Sequence, residues 1–236
     1  MSVVGVVSDI HLPWAHPKYL QFCKDTFKRF KVNRVVFIGD VVDSHAMSRF
    51  EPNPEGYSPG DEIRAATAHL RPWVKAFPKA MVCIGNHDER YQRRAYRYGI
   101  PSCLLKSYQE VFNTPGWDWQ PEFKIDGVLY IHGTGSTGKD AAMNLALQRR
   151  MSTVQGHTHS YAGCKWHANP DSLIFGMNVG CGIDIDSYAF EYSKPFPVRP
   201  VLGCGVVIDG TAMFIPMPCS KGQRYHRGEH GQDTET

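Results

Sequence analysis

Five short apolar runs in this chain each end in residues that bind metal ions, and no other feature constrains the fold as much. The ends are Ser8, Asp9, Ile10, His11; then Gly39, Asp40, Val41, Val42, Asp43; then Gly85, Asn86, His87, Asp88; then His132, Gly133; and last Gly156, His157, Thr158, His159. Short runs rich in β-branched residues read as buried strands. In open α/β sheets, sites form where loops converge at the carboxyl ends of strands. Five such ends therefore meet in space, although about 150 residues separate the first from the last. Period two places Asp9 and His11 on one side of their segment, and His157 and His159 likewise. The glycines at 39, 85, 133 and 156 let the backbone turn tightly beside the cluster.

The rest of the pattern fits an α/β protein. Val3 to Val7, Val35 to Ile38, Met81 to Ile84, Val128 to Ile131 and Ser152 to Val154 read as strands. Helical spacing runs from Pro17 to Phe30, from a cap at Asp61 through Ile63, Ala66, Leu70 and Val74, and from Lys139 to Arg150. Pro72 is expected to kink or shorten the second of these helices. This alternation predicts a largely parallel sheet. Past Gly156, Tyr161 to His167, Leu173 to Val179, Leu202 to Ile208 and Thr211 to Ile215 read as strands without intervening helices, so the second half is expected to be antiparallel or mixed. Ser220 to Thr236 is polar and aperiodic and reads as a frayed tail, leaving residues 1–219 as one domain.

Composition excludes little. The 236 residues carry 42% apolar side chains and a net charge of +3, ordinary for a globular domain and too slight to imply nucleic acid. No apolar run approaches the roughly 18 residues a membrane helix needs. The N-terminal segment lacks a basic region before an apolar stretch, so the expected location is the cytoplasm, with no membrane partner. The 7 cysteines are odd in number and scattered without a Cys-x-x-Cys pair, which favours reduced thiols over disulfides. Histidine placement is the informative count: of 11, five lie at the strand ends, at positions 11, 87, 132, 157 and 159.

Carboxylate oxygen and imidazole nitrogen donors without thiolate favour a borderline divalent ion, manganese first, with iron, zinc or nickel as alternatives. Asp9, His11, Asp40, Asn86, His132, His157 and His159 exceed what one ion needs. They suit two ions, roughly 3.5–4 Å apart, that generate a hydroxide and clamp the oxygens of an in-line displacement at phosphorus. A lone Asp-x-His is usually accidental. The five clusters together, in this order, are not.

These residues resemble the calcineurin-like metallophosphoesterases, whose pattern of Asp-x-His, Gly-Asp-x-x-Asp, Gly-Asn-His-Asp/Glu, a later His and Gly-His-x-His is matched from Asp9 to His159. The resemblance implies a four-layer α/β/β/α sandwich, two mixed sheets packed face to face and flanked by helices. It implies one ion on Asp9, His11, Asp40 and His159, a second on Asp40, Asn86, His132 and His157, and a hydroxide bridging them. It implies that His87 stabilises the transition state or protonates the leaving oxygen, oriented by Asp88, and that Asp43 is a supporting residue. An aspartate partner beside His87 raises its pKa toward the protonated form of a general acid. Relatives that are Ser/Thr protein phosphatases carry Arg-Gly after the second Asp and Glu in the third motif. Ser44, His45 and Asp88 depart from that pattern and disfavour a phosphoprotein substrate.

The expected activity is hydrolysis of a phosphoester, preferably a phosphodiester in DNA, RNA or a nucleotide, with a phosphomonoester as the alternative. Arg90, Arg93, Arg94 and Arg97, interleaved with Tyr91, Tyr96 and Tyr98, form a cationic stripe on a helix expected from Glu89 to Tyr98, suited to phosphates and base stacking. Arg90, Arg94 and His45 are the expected substrate contacts. Trp117, Trp119 and the segment Lys194 to Pro200 are expected to build rims or cover the sheet. Two other classes compete. Gly133 to Lys139 matches the phosphate-loop spacing of an NTPase, but Asp140 stands where Ser or Thr would hold magnesium. A non-catalytic module stapled by metal would have no use for His87 and Asp88.

Overall fold

The computed structural model describes residues 2–49, 54–184, 186–187 and 199–218. The expected tail at 220–236 and most of the segment Lys194 to Pro200 lie outside the described residues.

Among the described residues, eleven strands form two mixed sheets. The first contains β1 (Val3–Val7), β2 (Arg34–Phe37), β3 (Ala80–Cys83), β4 (Trp117–Gln120), β10 (Gly203–Ile208) and β11 (Thr211–Pro216), in the order β11-β10-β1-β2-β3-β4. Strands β1 to β4 are parallel, whereas β10 and β11 add antiparallel. The second contains β5 (Glu122–Ile125), β6 (Val128–Ile131), β7 (Thr153–Gln155), β8 (Ala162–Ala168) and β9 (Leu173–Val179), in the order β5-β6-β7-β9-β8. There β6, β7 and β9 run parallel, and β5 and β8 close the edges antiparallel.

The apolar runs are continuous because both faces of the central strands are buried. Val4, Val6, Val36, Ile38 and Cys83 face the second sheet and pack on Tyr130, Val154, Phe175 and Met177. Val7, Phe37 and Val82 face the other way, onto α1 (Tyr19–Arg29) and α2 (Pro59–Ala76) through Tyr19, Phe27, Leu70 and Trp73. On the outer face of the second sheet lies α5 (Ala141–Arg149), so close to β9 that a Cβ on Gly176 would sit 2.3 Å from the Met143 amide. The layers are thus helix, sheet, sheet, helix. The short helices α3 (Arg90–Arg97) and α4 (Tyr108–Phe112) follow β3.

Three sequence expectations change. Trp117 and Trp119 are buried residues of strand β4, alternating with exposed Asp118 and Gln120. Their indoles stack on Phe37 and Tyr108, with ring centroids 4.3 and 5.2 Å apart. The hairpin β5-β6 turns at Asp126 and Gly127, both at positive φ, the Asp-Gly signature of a type I′ turn. Helix α2 is capped by the Ser58 hydroxyl, which accepts from the Asp61 amide, and it runs past Pro72 to Ala76 because Leu70 and Trp73 anchor that turn. Among the described residues no helix is long and apolar enough to cross a membrane, and six cysteines are free.

Candidate metal centre

The five ligand-bearing segments leave the carboxyl ends of β1, β2 and β3 in one sheet and β6 and β7 in the other. Each sheet supplies neighbouring parallel strands, so all five loops open on the same edge of the sandwich. The strand pleat is not what aligns the side chains. Asp9, His11, Asp40 and His157 sit at φ of 44°, 44°, 48° and 62°, left-handed conformations that non-glycine residues adopt at a cost of order 1 kcal/mol each. Backbone bonds hold the turns: Asp9 N donates to the Gly39 carbonyl at 3.3 Å, and His11 N to the Asp40 carbonyl at 3.0 Å. Gly39, at φ +97°, lies against the His132 ring, where a Cβ would come within 2.5 Å. Gly85 is required by proximity: its Cβ would fall 2.2 Å from the Asp40 amide nitrogen.

Among the described residues, three groups bring potential ligand atoms within 4.8 Å of one another: Asp9, His11 and His159; His11, Asp40 and His87; and Asp40, His132 and His157. The first holds three of the four residues of one ligand set inferred above and the third holds three of the other, while Asp40 meets His11 in the second group. Asp40 Oδ2 lies 3.2 Å from His132 Nε2 and 3.6 Å from His11 Nε2, while its Oδ1 accepts from the His87 amide at 2.8 Å. Asp9 Oδ1 is 3.1 Å from His159 Nε2, and its carboxylate also accepts from the His157 amide and the Ser8 hydroxyl. Asn86 Oδ1 stands 3.0 Å from His132 Nε2. His132 is therefore integral to the cluster.

The donor set fits divalent cations. His11 Nδ1 donates to Asp43 Oδ1 at 2.7 Å, and His132 Nδ1 donates to the Ile38 carbonyl at 2.9 Å. Those bonds select the tautomer whose Nε2 lone pair faces the centre. His11 Nε2 then meets His159 Nε2 at 3.3 Å, and His132 Nε2 meets two side-chain oxygens. Lone pairs that converge in this way repel unless a proton or a cation stands among them. Without an ion the proton fills that role. Burial disfavours charge on His132, yet the charge and bond of Asp40, with Asp9 and the Ile38 carbonyl, together outweigh it and raise the ring to about 10. Burial, with the neighbouring His87, brings His11 down to about 4, so it is already in the neutral form that ligation requires.

A measurable consequence is proton release on metal uptake. At pH 7 His132 is protonated in the ion-free protein, since its pKa lies near 10, and its Nε2 can bind a metal only after losing that proton. Manganese titrated calorimetrically in buffers of different ionisation enthalpy should show about one proton released, with affinity falling about tenfold per pH unit as pH drops. Uptake without proton release would remove His132 from the ligand set.

The partnership around His87 differs from expectation. Its Nδ1 bonds to Asp43 Oδ1 and to the Asp43 carbonyl, both at 2.9 Å, rather than to Asp88. Asp88 points the other way, accepting from the Val42 and Gly85 amides at 3.1 and 2.9 Å, and so ties the second motif to the third. The reason is the chain reversal at 85–88, which puts Asp88 under the loop while Asp43 arrives beside both rings. Burial and the charge of Asp40 push the Asp88 carboxyl up to about 7. Asp43, although buried, is held well below the usual carboxylate range by its bonds to His11 and His87. Burial lowers His87, but the charge of Asp40 and the bond and charge of Asp43 together outweigh it, so the ring lies above its ordinary value.

The expected substrate contacts divide. Arg90 reaches the centre, donating to the Asp43 carbonyl at 2.9 Å and to His87 Nε2 at 3.0 Å. Arg94 donates to the Met47 and Ser48 carbonyls at 3.0 and 2.6 Å, so it braces the turn at 45–48. His45 lies buried in that turn, its amide and that of Ala46 held by Glu62 at 2.6 and 2.8 Å. Glu62 was invisible to sequence reasoning because its neighbours place it on an ordinary α2 turn. A wholly buried glutamate is rare unless partnered, and only the fold shows its partners. A cavity of about 260 Å³ opens between Asn86 and His157 and is walled by Arg90, Arg93, Arg94 and Arg97.

The phosphate-loop spacing at 133–139 does not form a single cradle. Thr134 lines the cavity beside His157, whereas Lys139 lines a separate one with Tyr161 and Asn178, and Asp140 pairs with Lys165.

Solved structures resemble the chain distantly. Vacuolar protein sorting 29 from Cryptosporidium parvum aligns over 93% of this chain and 98% of its own, at 13% identity and a TM-score of 0.43. YfcE, a phosphoesterase from E. coli, aligns over 88% of each chain at 18% identity and a TM-score of 0.41. The nuclease MPE of Pseudomonas putida aligns over 90% of this chain and 87% of its own, at 12% identity and a TM-score of 0.36. No curated protein sequence matches. The family model for calcineurin-like phosphoesterases matches residues 2–185, and the chain belongs to that family.

Proposed function

We propose that the protein hydrolyses phosphodiesters of a nucleic acid or nucleotide with the help of two divalent ions. One observation carries this reading: the cavity lined by four arginines meets the ligand cluster at Asn86 and His157. An anion entering it arrives at the metal positions already partly neutralised. Asp9, His11, Asp40 and His159 would hold one ion; Asp40, Asn86, His132 and His157 would hold the other. When bound, such ions lower the pKa of water and neutralise charge building at phosphorus. Oxygen and nitrogen donors make manganese the expected metal.

The chain's own residues supply the rest. Asp43 orients His87 through Nδ1, which leaves Nε2 for the leaving oxygen. Arg90 covers that nitrogen in the resting state, and its charge works against protonation of the ring. A substrate phosphate competes for the guanidinium and frees Nε2, after which Asp40 and Asp43 favour the protonated ring that donates to the departing alkoxide. His45 stands beside this path, on the turn that Glu62 and Arg94 brace.

Removing metal with chelator and restoring manganese should abolish and then recover hydrolysis of bis(p-nitrophenyl) phosphate, with the diester turned over faster than p-nitrophenyl phosphate. Hydrolysis of the monoester alone would make the protein a phosphatase. Metal-dependent melting without turnover would leave a stapled binding module, and magnesium-ATP turnover that needs Lys139 would point to the glycine loop instead.

A further inference from the structure

We infer that the outer face of α3 and the turn after it form a track for single-stranded nucleic acid leading away from the metal centre, with Arg93 and Arg97 on phosphates and Tyr96 and Tyr98 under bases. This deepens the phosphodiesterase reading and rests on it for the track's starting point.

Helix α3 is anomalous as a structural element. None of its eight residues is wholly buried, only Tyr91 packs toward the core, and four residues are arginines that carry like charges at i, i+4. Two of the arginines explain its attachment. Arg90 and Arg94 bind carbonyls of the 43–48 segment. The other two do not contribute to that attachment. Arg93 makes an exposed i, i+4 pair with Glu89 at 3.2 Å, and Arg97 extends the cationic row one turn further.

At about 100° per residue, Arg93 and Arg97 lie between the face carrying Arg90 and Arg94 and the one carrying Tyr96. They form a ridge with a cavity on each side. Both line the cavity at Asn86 and His157, and both also line a second cavity of about 310 Å³ shared with Tyr96, Ile100 and Leu105. The ridge thus connects the metal site to a hollow of mixed polarity, in which Tyr96, Ile100 and Leu105 face Glu89 and Gln92.

Tyr96 lies on the far side of that ridge, and Tyr98 stands at the C-terminal end of the helix. Tyr91 turns inward against Tyr108 and Phe112, whereas Tyr96 and Tyr98 are 80% and 77% exposed. Of the nine exposed large apolar side chains among the described residues, Tyr96, Tyr98, Ile100 and Leu104 fall within nine positions of each other. Such clustering marks a binding surface. A row of guanidiniums flanked by free aromatic rings suits a flexible phosphate chain whose bases can stack, and a paired duplex keeps its bases out of reach.

The test uses the full chain in EDTA, so that nothing is cleaved, with fluorescence anisotropy of a labelled twelve-nucleotide oligothymidylate, the matching oligouridylate and a duplex of equal length. The single strands should bind more tightly than the duplex. Tyr96→Ala combined with Tyr98→Ala should weaken them about tenfold or more. Arg93→Gln and Arg97→Gln should each reduce the slope of log affinity against log salt by about 0.7. Both tyrosines are exposed, and circular dichroism melting checks that the variants remain folded. Equal affinity for duplex, or unchanged binding by the tyrosine variant, would overturn the track. So would a dimer that the tyrosine variant dissociates while oligonucleotide affinity stays constant. Hydrolysis of bis(p-nitrophenyl) phosphate is scored separately: turnover without oligonucleotide binding removes the track alone, and variant-sensitive binding without turnover removes the phosphodiesterase reading alone.

Discussion

Replacing Asp40 by asparagine is expected to reduce manganese-supported turnover by about a thousandfold or more, the scale of losing a group that places charge before the reaction. Asp40 is the one residue common to both expected ligand sets, with Oδ2 3.2 Å from His132 Nε2 and 3.6 Å from His11 Nε2. Asparagine preserves the shape and can still accept from the His87 amide, which Asp40 does at 2.8 Å. It cannot supply the negative charge that holds His132 protonated in the ion-free protein and would balance two cations in the loaded one. Metal content by mass spectrometry should therefore fall below two ions per chain, and the raised pKa of His132 should collapse toward its ordinary value. Most of the activity surviving with full metal content would show that Asp40 does not bridge.

The second large effect concerns Asp43. One of its carboxylate oxygens accepts from His11 Nδ1 at 2.7 Å and from His87 Nδ1 at 2.9 Å, so a single group orients an expected ligand and the expected general acid. Asp43→Asn keeps the size but loses the charge and can satisfy both rings only imperfectly. A drop in kcat of about a hundredfold is expected, the upper range for a hydrogen-bond partner of a ligating histidine. The pH profile separates this from mere loosening. A general acid works protonated, so activity is lost as pH rises through the pKa of His87. Asp43 contributes to raising that pKa. Its neutralisation should therefore move the alkaline limb to lower pH. Asp88→Asn provides the comparison: Asp88 binds the Val42 and Gly85 amides, so its loss should lower the melting temperature and leave the limb where it was. A limb moved by Asp88→Asn and left in place by Asp43→Asn would return the orienting role to Asp88.

Much of this centre was legible in the chain because a ligand after a strand has few places to go. Apolar runs such as Val35 to Ile38 identify buried strands, and parallel strands in one layer deliver their ends to one edge, so Asp9, Asp40, Asn86, His132 and His157 converge whatever the details between them. The motif order also identified the family and, through it, the layered sheets. What the pattern suggested for the wrong reason was the alignment of Asp9 with His11. Alternation along a strand predicts it, whereas the residues in fact occupy left-handed turns that only the surrounding bonds can hold.

Strand β4 was missed because Trp117 and Trp119 alternate with polar residues over only four positions, too short to distinguish a strand from a rim. Its companion β5 carried a readable signal in Asp126 and Gly127.

The sequence by itself determined which residues gather at one edge of the sandwich, because hydrophobic periodicity and strand direction are local properties of the chain. Only the tertiary structure decided who partners whom inside that gathering. Asp43 and Asp88 have the same chemistry and flank the same strand ends, and their roles are set by bonds across 32 and 46 residues, to His11 and to Val42. The same holds for the arginines of α3: one helical stripe in sequence becomes two braces and two outward cations, one of them paired with Glu89, because the 43–48 segment lies against only one side of the helix. Side-chain partners depend on angstrom distances between segments remote in sequence, and no local pattern encodes those distances.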